Sequence, residues 1–170
     1  MLGLPRGEVF LIPWTEEWEA EFFLEKEKIE QKLGSKIKAV HHVGSTAVEH
    51  LSAKPIIDIA VEVATFKNGE VCIDPLKELG YIYKGTEIVP DRYYFNKGEP
   101  RTHQLHLHES GNPYLLEQLQ FRDYLRKNAE ARKEYEQLKK QLAATAEGNK
   151  YTYNEGKTDF IQAALPERQK

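Results

Sequence analysis

The chain has 170 residues, of which 40% are hydrophobic and 30% are charged, and it carries a formal net charge of −3 and one cysteine. This length and balance predict a single soluble, cytoplasmic domain over residues 1–170, and one cysteine excludes both an internal disulfide and a multi-cysteine zinc site. No apolar run reaches the length of a membrane span, and the acidic balance argues against a general nucleic-acid binder. We therefore expect neither a membrane nor a nucleic acid as partner.

The first half of the chain predicts one helix followed by two strands. Thr15 is suited to cap a helix that stops near Gly34. Apolar residues then predict strands over residues 36–43 and 56–63. The second strand carries Asp58, although Asp is depleted in strands and a buried carboxylate is costly unless it is paired or bound to metal. Asp58 is therefore a candidate functional residue.

The second half predicts a short helix at residues 71–79 and three more strands at 81–84, 92–96 and 101–108. The last third changes to helical periodicity, with two amphipathic helices and a final short helix near residues 157–164. Strands followed by a helical C-terminal third indicate an α+β fold. We expect a mixed β-sheet of about five strands with helices packed on one face.

The loop between the first two strands carries the residue types of a phosphate site. Gly44 lets the backbone approach a ligand closely, and Ser45 and Thr46 offer hydroxyl and amide hydrogens to a phosphate. The alternative is an ordinary turn in which Thr46 caps a helix. Lys54 precedes the strand of Asp58 and either aims its ammonium at the same phosphate or is a solvated surface residue.

Basic and histidine side chains on the later strands are further candidates. Arg92 and Arg101 interrupt predicted strands, where a guanidinium either pairs with an internal carboxylate or binds a phosphate. His106 and His108 share one side of their strand and could join Asp58 in a two-histidine, one-carboxylate metal site. Alternatively, one of them contacts the ligand, and His106 is then the residue that orients or protonates it.

These motifs resemble the nucleotidyltransferase-like superfamily, whose signature is Gly-Ser, a spacer, and two alternate acids on a strand. More narrowly, the chain resembles the GrpB family over nearly its whole length. The matching segments are residues 42–48, 51, 53–59, 101–107, 121–125, 151–152 and 157. The resemblance implies a nucleotidyltransferase-like sheet and, as ligand, a nucleotide or phosphorylated small molecule, with Mg²⁺ as a possible cofactor at Asp58. It brings no general reaction with it.

The second acid of that signature is replaced by Ala60. Two-metal nucleotidyl transfer needs a cluster of carboxylates, and Glu62, roughly 7 Å beyond position 60 on the same strand face, is the acid that could assist Asp58 as a metal ligand. Three hypotheses follow. The chain is a Mg²⁺-dependent nucleotidyltransferase, a catalytically inactive ligand-binding or regulatory module of the same fold, or a metal-assisted hydrolase that uses His106 and His108. If the strand face is open, Ala60→Asp should restore the missing acid.

Overall fold

The computed structural model describes residues 1–146, 157–158 and 160–165. A mixed sheet forms its centre, and its strands in chain order, β1 to β5, are Ala39–Val43, Ile57–Val63, Ile82–Gly85, Tyr93–Lys97 and His103–Glu109. Their spatial order is β1-β2-β5-β4-β3. β2 and β5 run parallel at the centre, and the other neighbours pair antiparallel. The predicted α+β class and mixed sheet of five strands are therefore confirmed.

The α-helices of the described ranges, α1 to α4, are Glu16–Leu33, Ile73–Glu78, Pro113–Lys127 and Ala129–Ala146. Residues 157–158 and 160–164 are also helical, where the sequence predicts the final short helix. The predicted cap of α1 is present, because Thr15 Oγ1 accepts a hydrogen bond from the Glu17 amide at 3.3 Å. No helix in the described ranges is long and apolar enough to cross a membrane.

One face of the sheet forms the main hydrophobic core. In β2, Ile57, Ile59 and Val61 are fully buried on this face, because alternate residues of a strand point to the same side. Trp18 and Phe22 of α1 belong to the same buried cluster. The apolar stripe of α1 therefore covers the side of β2 that points away from Asp58.

The opposite face is covered as well, which differs from the predicted packing of helices on one face only. Ala60 is fully buried, and it forms a cluster with Val43 of β1 and Leu115 of α3. The sequence suggested an open polar face because Asp58 and Glu62 alternate with Ala60 along β2. The apolar stripe of α3 instead covers the middle of that face, so Asp58 and Glu62 lie at opposite ends of a packed patch.

Candidate functional site

The turn after β1, residues 44–47 (the glycine turn), lies directly against Asp58. Val43, the last residue of β1, pairs with Asp58 across the antiparallel ladder, so the turn begins beside the carboxylate. Gly44 has a φ of +76°, and a Cβ at this position would overlap Asp58 Oδ2. Only glycine meets both the conformational and the spatial requirement. The structure thus brings Gly44, Ser45 and Asp58 together.

Several cations surround the half-buried Asp58 carboxylate. Those whose charge acts on it, the cation cluster of this site, are Lys54, Lys157, Lys139 and Arg101. Burial raises the pKa of Asp58 to about 6, although the four cations lower it. Burial therefore has a larger effect on the pKa of Asp58 than the four cations together.

Gln104 connects Asp58 to Arg101. Asp58 of β2 and Gln104 of β5 are partners across the parallel pair, so their side chains stand on the same face. With its amide oriented to satisfy both neighbours, Gln104 donates from its nitrogen to Asp58 Oδ1 at 3.1 Å and accepts from Arg101 Nη1 at 2.8 Å. The guanidinium is thereby held close to the carboxylate without a direct ion pair.

Helix α4 closes the site with two buried side chains. The Tyr135 hydroxyl shares a hydrogen bond with the Ser45 side chain, and burial raises the pKa of Tyr135. Lys139 is almost fully buried, and its Nζ donates to the Ser52 carbonyl at 2.7 Å. Burial, together with Lys157 and Lys54, lowers the pKa of Lys139 well below its ordinary value.

Lys157 of the C-terminal helical segment reaches the site. Burial and the neighbouring Lys54 lower its pKa to about 7, against the opposing effect of Asp58. Its side chain is nevertheless partly exposed, so this ammonium exchanges its proton with solvent near neutral pH. The charge of the cation cluster therefore depends on pH within the physiological range.

Thr46 lies on the other side of the glycine turn. It is buried, and its Oγ1 lies 2.9 Å from His42 Nε2. Burial, Arg126 and Arg122 lower the pKa of His42 to about 3, so its ring is neutral at physiological pH. The structure therefore does not bring Thr46 to Asp58 as the sequence suggested, because the turn directs residues 45 and 46 to opposite sides.

Arg92, His106 and His108 form a separate group beneath α3. The Arg92 guanidinium lies over the Tyr114 ring, 4.8 Å from its centroid, and His106 stacks on Tyr94 at 5.0 Å. Burial and the charge of Arg92 lower the pKa of His106 to about 3 and that of His108 to about 4. His106 is therefore neutral at physiological pH, and Arg92 acts on the histidines rather than on a ligand at Asp58.

Glu62 does not reach Asp58 either. It is four residues further along β2, which corresponds to roughly 13 Å at the usual rise per residue. Its Oε2 accepts from Ser110 Oγ at 2.9 Å and its Oε1 lies 3.6 Å from His41 Nε2. Asp58 and Glu62 cannot share an ion in this arrangement, so the predicted pair of metal ligands is not assembled.

Position 60 is the place where the nucleotidyltransferase signature expects the second acid. Ala60 is fully buried against Val43 and Leu115, so the expectation that this position lines an open cleft is wrong. The alternation of β2 correctly placed it on the face of Asp58. It could not show that α3 packs on that face.

The described residues contain one group of three side chains close enough to hold a metal ion: Glu21, Glu25 and His103, with ligand atoms within 4.8 Å of one another. His106 and His108 do not form such a group with Asp58. In the observed group, Lys97 Nζ already lies 2.6 Å from Glu25 Oε1. The structure thus gives no support to the two-histidine hydrolase site.

Lys139 and Gln104 are the site residues that the sequence reasoning missed. Lys139 falls four residues after Tyr135 in α4 and one after Leu138, on the apolar stripe of that helix. Residues four apart in a helix share a face, so a lysine at a stripe position was the signal for a buried cation. Gln104 faces Asp58 because of the parallel register of β2 and β5, which the sequence pattern does not reveal.

The fold itself places the chain in a class. A crystal structure of the Cid1 poly (U) polymerase with MgGTP bound matches 79% of this chain and 44% of that chain with a TM-score of 0.55 and 12% sequence identity. At this identity the likeness concerns the fold alone. The chain is thus a protein of nucleotidyltransferase-like fold.

The chain belongs to the GrpB family, whose sequence model, described as "GrpB protein", matches residues 8–167. The crystal structure of the conserved protein GrpB from Enterococcus faecalis matches 95% of this chain and 100% of that chain, with a TM-score of 0.85 and 31% identity. The UPF0157 protein YqkA of Bacillus subtilis is 40% identical over 161 residues, which are 94% of this chain and 47% of YqkA. The chain therefore spans about half the length of that relative.

Proposed function

We propose that this protein binds a nucleotide or another phosphorylated small molecule, with the phosphate groups between the glycine turn and the cation cluster. The observation that supports the proposal is the convergence of four cations on one carboxylate beside a turn that tolerates no side chain. Like charges in a half-buried site repel each other, and a bound anion would relieve that repulsion.

The site offers complementary ways to hold a phosphate. Arg101 presents a planar guanidinium that can bind two phosphate oxygens at once, whereas Lys54 and Lys157 act as point charges. These three side chains and Asp58 each keep part of their surface exposed, so a small anion can reach them from solvent. Lys139 lies on the buried side of the same cluster.

Asp58 has a defined part in this proposal. Its pKa is already raised to about 6 by burial, and a phosphate nearby would raise it further because like charges disfavour ionisation. The carboxyl group would then bind its proton and donate a hydrogen bond to a phosphate oxygen. Binding is therefore expected to take up a proton at neutral pH.

Mg²⁺ does not fit the residues present. Mg²⁺ sites commonly use one or two carboxylates with waters and substrate phosphates, whereas here one carboxylate and one amide stand among four cations. The four cations near Asp58 disfavour free Mg²⁺ at this carboxylate. We therefore expect pyrophosphate to bind without Mg²⁺, and we expect the metal to enter only with a triphosphate that carries it.

Transfer of a nucleotidyl group is the second candidate, and the likeness of the fold to the Cid1 polymerase favours it. The buried Ala60 argues against it, because one acid is left where two-metal transfer needs a cluster. Incubation with α-labelled nucleoside triphosphates separates the two. A labelled product whose formation depends on Asp58 would support transfer. Stabilisation of the protein against thermal unfolding by the nucleotide, without a labelled product, would support a binding or regulatory module.

The decisive experiment for phosphate binding compares two adjacent lysines of α4. Lys139 is buried in the site and Lys140 is exposed beside it. Melting temperatures and calorimetric titrations with pyrophosphate and ATP, with and without Mg²⁺, are measured for wild type, Lys139→Met and Lys140→Met. Loss of one charged contact should weaken binding about tenfold in Lys139→Met, while Lys140→Met should bind like the wild type.

Two outcomes would overturn the proposal. The first is the absence of any stabilisation of the wild type by pyrophosphate or nucleotides at millimolar concentrations. The second is equal binding by both lysine variants together with unchanged binding by Arg101→Gln. An anion whose affinity depends on neither Lys139 nor Arg101 cannot lie in the cation cluster.

A further inference from the structure

A second polar groove lies on the other side of the glycine turn. It consists of two adjoining hollows of about 220 Å³ and about 490 Å³ that share Glu19, Phe23, His42 and Arg126 as lining residues. α1 forms one wall and the end of α3 the other, with the edge strand β1 at the base. The larger hollow has the size of an ordinary small-molecule site.

Arginines give the groove a positive wall. Arg122, Arg126 and Arg132 line it. Arg126 Nε donates to the Ala47 carbonyl at 2.9 Å, and Arg132 Nη1 donates to backbone carbonyls at the end of α3. These bonds orient the guanidinium groups without neutralising them. Among the described residues, neither Arg126 nor Arg132 has a carboxylate within 4.0 Å.

Aromatic rings stand in the same groove. Phe23 of α1 keeps 55% of its surface exposed, and Trp14 lies next to His50 with ring centroids 6.3 Å apart. An exposed aromatic ring beside arginines is the combination with which proteins stack a base and hold its phosphate. Glu19 and Glu49 also line the groove. Their negative charges disfavour a ligand that carries several negative charges.

We propose that this groove is a second ligand site that takes one nucleotide unit, with its phosphate on Arg126 and Arg132 and its base against Phe23 and Trp14. The unit is either a free mononucleotide or the terminal nucleotide of a single strand, which share this chemistry. The groove is separate from the cation cluster, because no residue that lines it belongs to that cluster. The proposal therefore stands independently of the proposed function.

The test uses AMP, inorganic phosphate and a 5′-phosphorylated hexanucleotide, and it follows Trp14 fluorescence. Trp18, the other tryptophan, is 1% exposed and serves as an internal reference. The expected loss of AMP affinity is about tenfold in Arg126→Gln and about fivefold in Phe23→Ala. Glu19→Gln should tighten AMP binding, because it removes a negative charge from the groove.

Arg6→Gln, at an exposed arginine outside both the groove and the cation cluster, should leave AMP affinity unchanged. Phe23 is exposed, so its truncation keeps the test valid even if Arg126→Gln unfolds. Competition by the hexanucleotide would assign the groove to a strand end, and binding of AMP alone would assign it to the free nucleotide.

Three results would overturn this proposal. They are no fluorescence response to millimolar AMP, equal affinity for AMP and inorganic phosphate, or a response lost in Lys139→Met but kept in Arg126→Gln and Phe23→Ala. The last result would place the nucleotide in the cation cluster. It would thus reject the groove while retaining the proposed function.

Discussion

At the scale of single residues, burial makes the ionised Asp58 carboxylate unfavourable for the folded protein. Burial raises the pKa of Asp58 from an ordinary value of 3.8 to about 6. Between these pH values the carboxyl group is therefore protonated in the folded protein but already ionised in the unfolded chain. The free energy of unfolding therefore falls as pH rises from about 4 to about 6 and stays lower above that range.

Asp58→Asn should remove the loss of stability that ionisation of this carboxyl group causes. At pH 7.5 the variant is expected to be more stable than the wild type by on the order of 3 kcal/mol, because the pKa of Asp58 is shifted by about two units at about 1.4 kcal/mol each, and the difference should vanish near pH 4. Thermal melts at both pH values check this. A variant that is less stable than the wild type at pH 7.5 would show that the ionised carboxylate stabilises the apo-protein.

Gly44→Ala should be more harmful than the same change at another glycine of similar φ angle. Gly44 and Gly7 have φ angles of +76° and +82°, but a Cβ at Gly44 would meet Asp58, whereas nothing lies within 4 Å of one at Gly7. Gly7→Ala should cost about 1 kcal/mol from backbone strain alone. We expect a clearly larger cost and loss of phosphate binding in Gly44→Ala, and equal melting temperatures would contradict the close approach to Asp58.

At the scale of elements, α3 determines whether the middle of the polar sheet face is buried or open to a ligand. Leu115 of α3 packs on Ala60, so this part of β2 is core rather than cleft. Alternation along β2 alone predicted that an acid at position 60 would complete a metal site. The packing of α3 on this position reverses that expectation.

Ala60→Asp should therefore destabilise the protein rather than create a metal site. A carboxylate introduced at a fully buried position without a partner costs several kcal/mol, about 3 or more, and Mg²⁺ should not restore the loss. Ala129→Asp, at the exposed start of α4, is the matched control and should be nearly neutral. Recovery of the Ala60→Asp melting temperature with Mg²⁺ would show that the position is open to cations.

The sequence predicted those parts of the site that lie close together along the chain. Gly44, Ser45 and Asp58 belong to two consecutive strands and the connection between them, so a hairpin-like return brings them together. Lys139 comes from a helix whose docking face depends on tertiary packing, and Arg92 acts elsewhere because of a register that sequence patterns do not encode. The sequence pattern therefore predicted the site residues that lie close together along the chain, whereas the positions of Lys139 and Arg92 depend on tertiary packing.

At the scale of the whole molecule, the charge is unevenly distributed. The chain has 24 lysines and arginines against 27 acidic residues, yet four cations act together on the Asp58 carboxylate. The net negative charge of the chain disfavours long polyanions, while a local positive centre attracts small ones. This distribution favours a small phosphorylated ligand over a long nucleic acid.

Sulfate affinity should fall as pH rises above 7. Burial and Lys54 lower the pKa of Lys157 to about 7, so the free site loses a positive charge there, and an anion binds the protonated form preferentially. Sulfate keeps a constant charge in this range, so affinity should drop up to about tenfold per pH unit above 7. Calorimetry from pH 6 to pH 9 measures this, and a flat profile would contradict titration of Lys157 at the site.

Helix α4 has a consequence for the loop that precedes β2. Glu136 Oε1 accepts from the Ser52 amide at 2.8 Å, and Lys139 Nζ donates to the Ser52 carbonyl at 2.7 Å. One helical turn thus bonds both backbone groups of a loop residue, as a neighbouring strand would. The Ser52 amide should resist hydrogen exchange as a strand amide does, and its exchange rate would report the release of α4 from the site in the protein without any ligand.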